Sequence, residues 1–132
     1  MKALSKNFEV IVFTASHSCY ANVVLNYLDP ENKYIHHRLY REHCYQTQNM
    51  YVKDLRVIDR PISDMVLVDN AAYSYAFQLD NGIPIIPYYE GKSDFELKAL
   101  QHYLEGMLVA KDLREVNKKT FKLHEYTSYD DV

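Results

Sequence analysis

Apolar residues in this chain fall in short blocks separated by polar turns, a pattern that alternates strand with helix. Residues 8–14, Phe8-Glu9-Val10-Ile11-Val12-Phe13-Thr14, are nearly continuously apolar and end on a hydroxyl. Such a run predicts a strand covered on both faces. The stretch before it, Met1–Asn7, reads as the last turns of a helix or as a leader into that strand. Ser16 is placed to cap a helix over 17–28, with Tyr20, Val23, Val24, Tyr27 and Leu28 at helical spacing. Asp29-Pro30 ends that helix, because proline disfavours helical backbone in the residue before it. Tyr34–Tyr40 alternates loosely and predicts a short strand. Residues 41–50 are polar and read as a loop, and 51–58 as a short helical connection around Lys53-Asp54.

The second half repeats the alternation. Arg60-Pro61-Ile62-Ser63 reads as a turn, Met65–Val68 as a buried strand, Tyr73–Leu79 as a short helix and Asp80-Asn81-Gly82 as a turn. Ile83–Ile86 predicts a further strand, with Pro84 placing it near an edge or a beginning. Ser93-Asp94-Phe95-Glu96 has the capping-box pattern, which predicts a helix to about 108 with Leu97, Leu100, Leu104 and Met107 or Leu108 on one face. A short helix is expected over 112–117. From Lys118 the last fifteen residues are polar and aperiodic, which reads as a loosely docked tail. Strand alternating with helix argues for an α/β fold with a parallel sheet.

The chemistry sits at the strand ends. Val66-Leu67-Val68-Asp69-Asn70 runs three apolar β-formers into a carboxylate and a carboxamide. Ligands of open α/β sheets bind where strands end, and oxygen ligands suit hard cations such as Mg²⁺. Thr14 ends the first strand in the same manner.

Composition narrows the class. The 132 residues, 48% hydrophobic and 25% charged, fit one globular domain. A net charge of −3 without a Lys/Arg run gives nucleic-acid binding no support. No apolar stretch approaches the ~20 residues of a membrane span. No secretory leader is seen at the start, and two cysteines make no disulfide framework. An intracellular chain, nuclear or cytoplasmic and not secreted, is expected. Thirteen tyrosines and no tryptophan are unusual, and are read as compositional drift.

Several segments recur here in a telling order: Phe13-Thr14-Ala15-Ser16, Tyr40-Arg41-Glu42-His43-Cys44, Tyr51-Val52-Lys53-Asp54-Leu55, Val68-Asp69-Asn70 and Asn81-Gly82-Ile83-Pro84-Ile85. Together they resemble the small phosphatases that act on the C-terminal domain of RNA polymerase II, within the haloacid dehalogenase superfamily, over roughly residues 8–108. The resemblance implies a Mg²⁺-dependent protein serine/threonine phosphatase working through an aspartyl-phosphate. In that family's terms Thr14 matches the second motif and hydrogen-bonds the transferring phosphoryl oxygen. Lys53 matches the third and neutralises charge, and Asp69 and Asn70 match the fourth, at the magnesium site. Arg41 matches an arginine of the active-site region. Thr14, Arg41 and Lys53 would thus bind phosphate. The tips of these side chains are expected to converge around one pocket.

The departures shape the expectation further. The family's Asp-x-Asp-x-Thr nucleophile motif does not occur in these residues, Ala71-Ala72 stands where Ser-Pro is usual, and Tyr88-Tyr89 where tryptophan and phenylalanine are. The implied fold is a partial haloacid-dehalogenase-like, Rossmannoid parallel sheet flanked by helices, its central first strand missing from this chain. That strand belongs between those ending in Thr14 and Asp69. The phosphatase-like domain is expected over 1–117, with a tail at 118–132. No turnover is expected of this chain alone. The alternative is a non-enzymatic pseudophosphatase, a scaffold or assembly subunit whose sheet another polypeptide completes. A third reading makes Met1 an internal methionine, with the first strand encoded upstream. The expected partner is a phosphoprotein or another protein chain, with no nucleic acid and no membrane span. Zinc at His17, Cys19, His43 and Cys44 is rejected for want of a finger spacing, and His36-His37 is expected to be exposed.

Overall fold

Polar residues cut the chain into short elements in the computed structural model, which describes residues 1–85 and 96–122. These form two compact units, Met1–Lys53 and Asp54–Val132. No helix among the described residues is long and apolar enough to cross a membrane.

The first unit is built on a β-α-β path. Strand β1 (Ile11–Phe13), helix α1 (Ser18–Leu28) and strand β2 (His37–Leu39) follow a 3-10 turn at Leu4–Lys6. β1 and β2 pair in parallel, with Ile11 opposite His37, Val12 opposite Arg38 and Phe13 opposite Leu39. Ala21 and Leu25 of α1 bury with Ile35, and Val12 and Tyr40 pack against them. Asp29 closes the helix. It is 1% exposed, and its carboxylate accepts the backbone N–H groups of Lys33, Tyr34 and Ile35 at 2.8–3.0 Å. Burial alone would push this carboxyl up, but the three backbone bonds and the nearby Arg38 charge outweigh it and hold it below the usual carboxylate range. Asn32, at φ 53°, supplies the left-handed residue that turns the chain back around the carboxylate.

The sequence expectations need correcting in three places here. Ser16 does not cap α1: its N–H is bound by Thr14 Oγ1 at 3.0 Å, and His17 is the N-cap residue, without a side-chain bond. Of the apolar residues of α1, the inner face takes Ala21 and Leu25, not those expected at helical spacing. Tyr20, Val23, Val24, Tyr27 and Leu28 are exposed, while small Ala21 lets the helix approach the strand. Residues 41–50 are not simply a loop. A 3-10 turn (Arg41–His43) leads into an antiparallel hairpin of β3 (Tyr45–Gln46) and β4 (Tyr51–Val52). Thr47 and Met50 close its turn through three mutual bonds.

The second unit pairs β5 (Leu67–Asp69) with β6 (Gly82–Pro84), again in parallel, Leu67 opposite Gly82 and Asp69 opposite Pro84. Leu55, Leu67 and Tyr75 form its core, with Ile58, Ile62, Met65 and Leu79 against them. Short 3-10 turns replace the helix expected over 73–79, running Ala72–Tyr75 and Leu79–Asn81. Two buried amides tie the connections down. Asn81 donates to the carbonyls of Ile62 and Met65. Asn117 donates to those of Asp80 and Gly82 while accepting the Tyr103 hydroxyl. Helix α2 (Glu96–Gly106) buries Leu104 and leaves Leu97 exposed, and Met107 is buried just after it. Helix α3 (Leu113–Phe121) continues past the expected 117 into the stretch read as tail, with Asp112 as its cap. The capping box at Ser93, the end of the strand at Ile86, Tyr88-Tyr89 and positions 123–132 lie outside the described residues.

Gly82 faces the Tyr75 ring so closely that an added β-carbon would overlap it. Gly82→Ala should therefore cost roughly 1–3 kcal/mol in urea unfolding, and an unchanged midpoint would contradict the packing. Asp54 accepts the Arg56 side chain and backbone N–H and the Gln78 amide, and Arg56 holds its carboxyl down at about 2. Its folded pKa lies below the unfolded 3.8, so its contribution is full above that value and lost as pH falls through 2. Because Arg56 is exposed and screened, on the order of 1 kcal/mol is at stake. In Asp54→Asn, stability should fall less steeply between pH 4 and 2 than in the parent protein; identical slopes would contradict the assignment.

Candidate functional site

Strand ends position the candidate residues in both units. In the first unit the chain leaves β1 through Thr14, whose N–H bonds the Leu39 carbonyl and so keeps it in the ladder with β2. Thr14 is half-buried. Because its Oγ1 accepts the Ser16 N–H, the hydroxyl proton is directed away from that turn and can be donated to an incoming oxygen.

Arg41 is brought to the same turn. Its Nε donates to the Ala15 carbonyl at 2.6 Å, its guanidinium lies 3.0 Å from His17 Nε2, and its backbone N–H bonds Ser16. The guanidinium also stacks 4.8 Å from the centre of the Tyr51 ring. Three kinds of contact thus fix a cation beside the Thr14 turn. Tyr51 is in β4, two residues before Lys53, which is itself half-buried. Cys44 directs its thiol at the Thr14 and Tyr40 carbonyls, 3.9 Å away. Tyr51 and His17 were not singled out as site residues from the sequence. A tyrosine two positions before the candidate lysine is the signal that could have found the first, while His17 becomes visible only through its contact with Arg41.

In the second unit Asp69 ends β5 half-buried, and Asn70 follows it exposed. Asp69 Oδ1 accepts the Ala71 N–H at 2.8 Å and its carbonyl accepts the Ile85 N–H at 3.3 Å. The carboxylate therefore caps the turn that Ala71-Ala72 cannot cap with their own side chains. Its charge is felt by Tyr75, whose phenol is pushed up first by burial and then by Asp69.

The donor set at this tip is a carboxylate and a carboxamide, both hard oxygen ligands, which suits Mg²⁺ in kind. Among the described residues no group of three or more His, Cys, Asp or Glu is arranged to hold a metal. Two protein oxygens fit an ion that keeps most of its waters. The first unit thus gathers Thr14 and Arg41 around one turn with Lys53 just beyond Tyr51, and the second carries Asp69 and Asn70 on a turn of their own.

Comparison with known proteins gives this arrangement its family. Residues 1–114 match the NLI interacting factor-like phosphatases. The chain is similar to CTD small phosphatase-like protein 3 of Caenorhabditis elegans, 40% identical over 130 residues, which cover 98% of this chain and 45% of that protein. It is similar to Phosphatase PSR1 of Saccharomyces cerevisiae, 42% identical over 113 residues, 86% of this chain and 26% of that protein. With CTD nuclear envelope phosphatase 1 of Xenopus tropicalis it shares 32% identity over 124 residues, 94% of this chain and 51% of that protein. The matched region spans about half of these relatives' length or less. The chain belongs to the NLI interacting factor-like phosphatases, the CTD small phosphatase-like family of the haloacid dehalogenase superfamily.

Proposed function

We propose that this chain supplies the phosphoryl-binding and metal-facing side of a protein serine/threonine phosphatase that works through an aspartyl-phosphate, and that its 132 residues alone do not turn over. The observation that carries this reading is the position of Thr14 and Asp69, each at the carboxyl end of a strand in a parallel pair. Such ends are where α/β sheets bind ligands.

In the proposed reaction the carboxylate of an aspartate outside these residues attacks phosphorus. The substrate serine or threonine oxygen leaves with a proton from a second aspartate, and water then cleaves the acyl phosphate. Thr14 donates its hydroxyl to a phosphoryl oxygen. Arg41 and Lys53 hold positive charge against the phosphoryl group, the type of positioning and charge compensation that dominates phosphoryl transfer. Asp69 and Asn70 would hold Mg²⁺, which when bound offsets charge on the phosphoryl oxygens. The substrate class is a phosphoprotein, in keeping with relatives named CTD small phosphatases.

A second reading draws on the sheets themselves. β1 has β2 as its strand partner and β5 has β6, each in a two-stranded sheet among the described residues. On this reading the sheet is completed by a strand of another polypeptide, and the chain serves as a pseudophosphatase scaffold.

Hydrolysis of an aryl phosphate or phosphopeptide with Mg²⁺ tests the first reading. The 132-residue chain should show no turnover above buffer. The same chain with a segment bearing Asp-x-Asp-x-Thr joined ahead of Met1 should gain it, and Asp69→Ala or Lys53→Ala should then lower the rate about 100-fold or more. Robust turnover by the 132 residues alone, removed by Asp69→Ala, would contradict the proposal. Folded fusion protein without turnover, which copurifies with a strand-donating partner, favours the scaffold.

A further inference from the structure

Arg38 occupies the centre of β2, and it is braced in an unusual way. Its Nη1 donates to the carboxamide oxygens of Asn22 and Asn26 on α1, at 2.8 and 2.9 Å, and its Nη2 to that of Asn32 at 2.9 Å. All three braces are neutral. Carboxylates would hold a guanidinium more strongly, through charge-assisted bonds. Carboxamides fix its geometry without putting a carboxylate in contact with it, and the Asp29 carboxylate acts on it only through space.

These groups line a wide-open cleft of about 860 Å³ in the first unit. Its surface is rich in donors. Arg38 carries five N–H groups, of which the three braces use three. Asn22 Oδ1 also accepts the Tyr40 hydroxyl, so its lone pairs are filled. His36 Nδ1 accepts the Val10 N–H at 2.8 Å, which leaves the proton of the neutral ring on Nε2, a donor at the cleft. With their oxygens engaged, the three asparagines offer NH₂ groups.

Neither nearby acid is hydrogen-bonded to Arg38. Asp29 is buried on three backbone N–H groups. Glu9, the one acidic residue lining the cleft, lies 3.5 Å from His37 Nε2.

We propose that this cleft binds an oxyanion of the phosphate-monoester class, at a site apart from the strand-end residues. Thr14, Arg41 and Lys53 do not line it, so the inference stands or falls separately from the phosphatase reading. A fixed planar cation with spare N–H groups, flanked by carboxamide and imidazole donors, matches a tetrahedral oxyanion that accepts several bonds at once.

Titration of the ¹⁵N-labelled full chain with inorganic phosphate, at constant ionic strength set by chloride, tests this. The Arg38 Nε–H and the side-chain amides of Asn22, Asn26 and Asn32 should shift saturably, phosphoserine should do the same, and acetate should bind more weakly. Asn26→Asp keeps the bond to Arg38 but adds a negative charge beside it. It should weaken phosphate binding about tenfold or more without lowering the melting temperature. Asn32→Asp should do likewise, since aspartate also tolerates the left-handed backbone there. Thr14→Val should leave this binding unchanged. Absence of saturable shifts, undiminished binding by both aspartate variants, loss of binding in Thr14→Val, or acetate binding as tight as phosphate would each overturn the proposal.

Discussion

The hydrogen bonds that β1 makes with β2, and β5 with β6, hold the two polar strand ends, Thr14 and Asp69, in their turns. The proposed site depends on those short ladders. Each is a parallel pair of three-residue strands. Parallel pairing occurs almost only inside covered sheets, and an isolated pair of strands is marginal in water. The ladders therefore need help from what surrounds them.

Part of that help comes from polar groups satisfied by backbone. Asp29 collects three N–H groups where α1 turns toward β2. Asn81 and Asn117 each collect two carbonyls around β6, and both are 1% exposed. A small unit buries a smaller share of its surface than a large one, so a few buried polar clamps carry weight that a larger core would spread out. Leaving such partners unsatisfied costs more than a formed hydrogen bond contributes. The arginines divide by the same logic. Arg41 is pinned by a carbonyl, an imidazole and a tyrosine face beside Thr14, whereas Arg38 is pinned by three carboxamides.

The strands were legible in the sequence because their apolar runs are continuous and end abruptly on Thr14 and on Asp69-Asn70. The family was legible because five short segments keep their order. What periodicity missed was the inner face of α1. Counting large apolar residues selects Tyr20, Val23 and Tyr27, yet the strand needs a close approach, which Ala21 permits. The β3–β4 hairpin escaped because its strands have two residues each and little alternation. The helix expected over 73–79 became 3-10 turns because Tyr75 is drawn into the core over Gly82. Asp29 reads as a helix stop, and its second role depends on Asn32 adopting a backbone conformation that sequence alone leaves open. Of the candidate site, residue types and strand-end positions were readable; the bracing of Arg41 by Ala15, His17 and Tyr51 was not, since it joins residues far apart in sequence.

The central claim is the proposed one, that β1 and β5 are each stabilised by a segment bearing Asp-x-Asp-x-Thr. Hydrogen exchange read at Ile11–Phe13 and Leu67–Asp69 tests it most directly, comparing the 132-residue chain with the chain carrying an Asp-x-Asp-x-Thr strand ahead of Met1. The account predicts that amides in both strands gain protection together in the longer protein. Protection that rises in only one strand, or is unchanged in both, would contradict it.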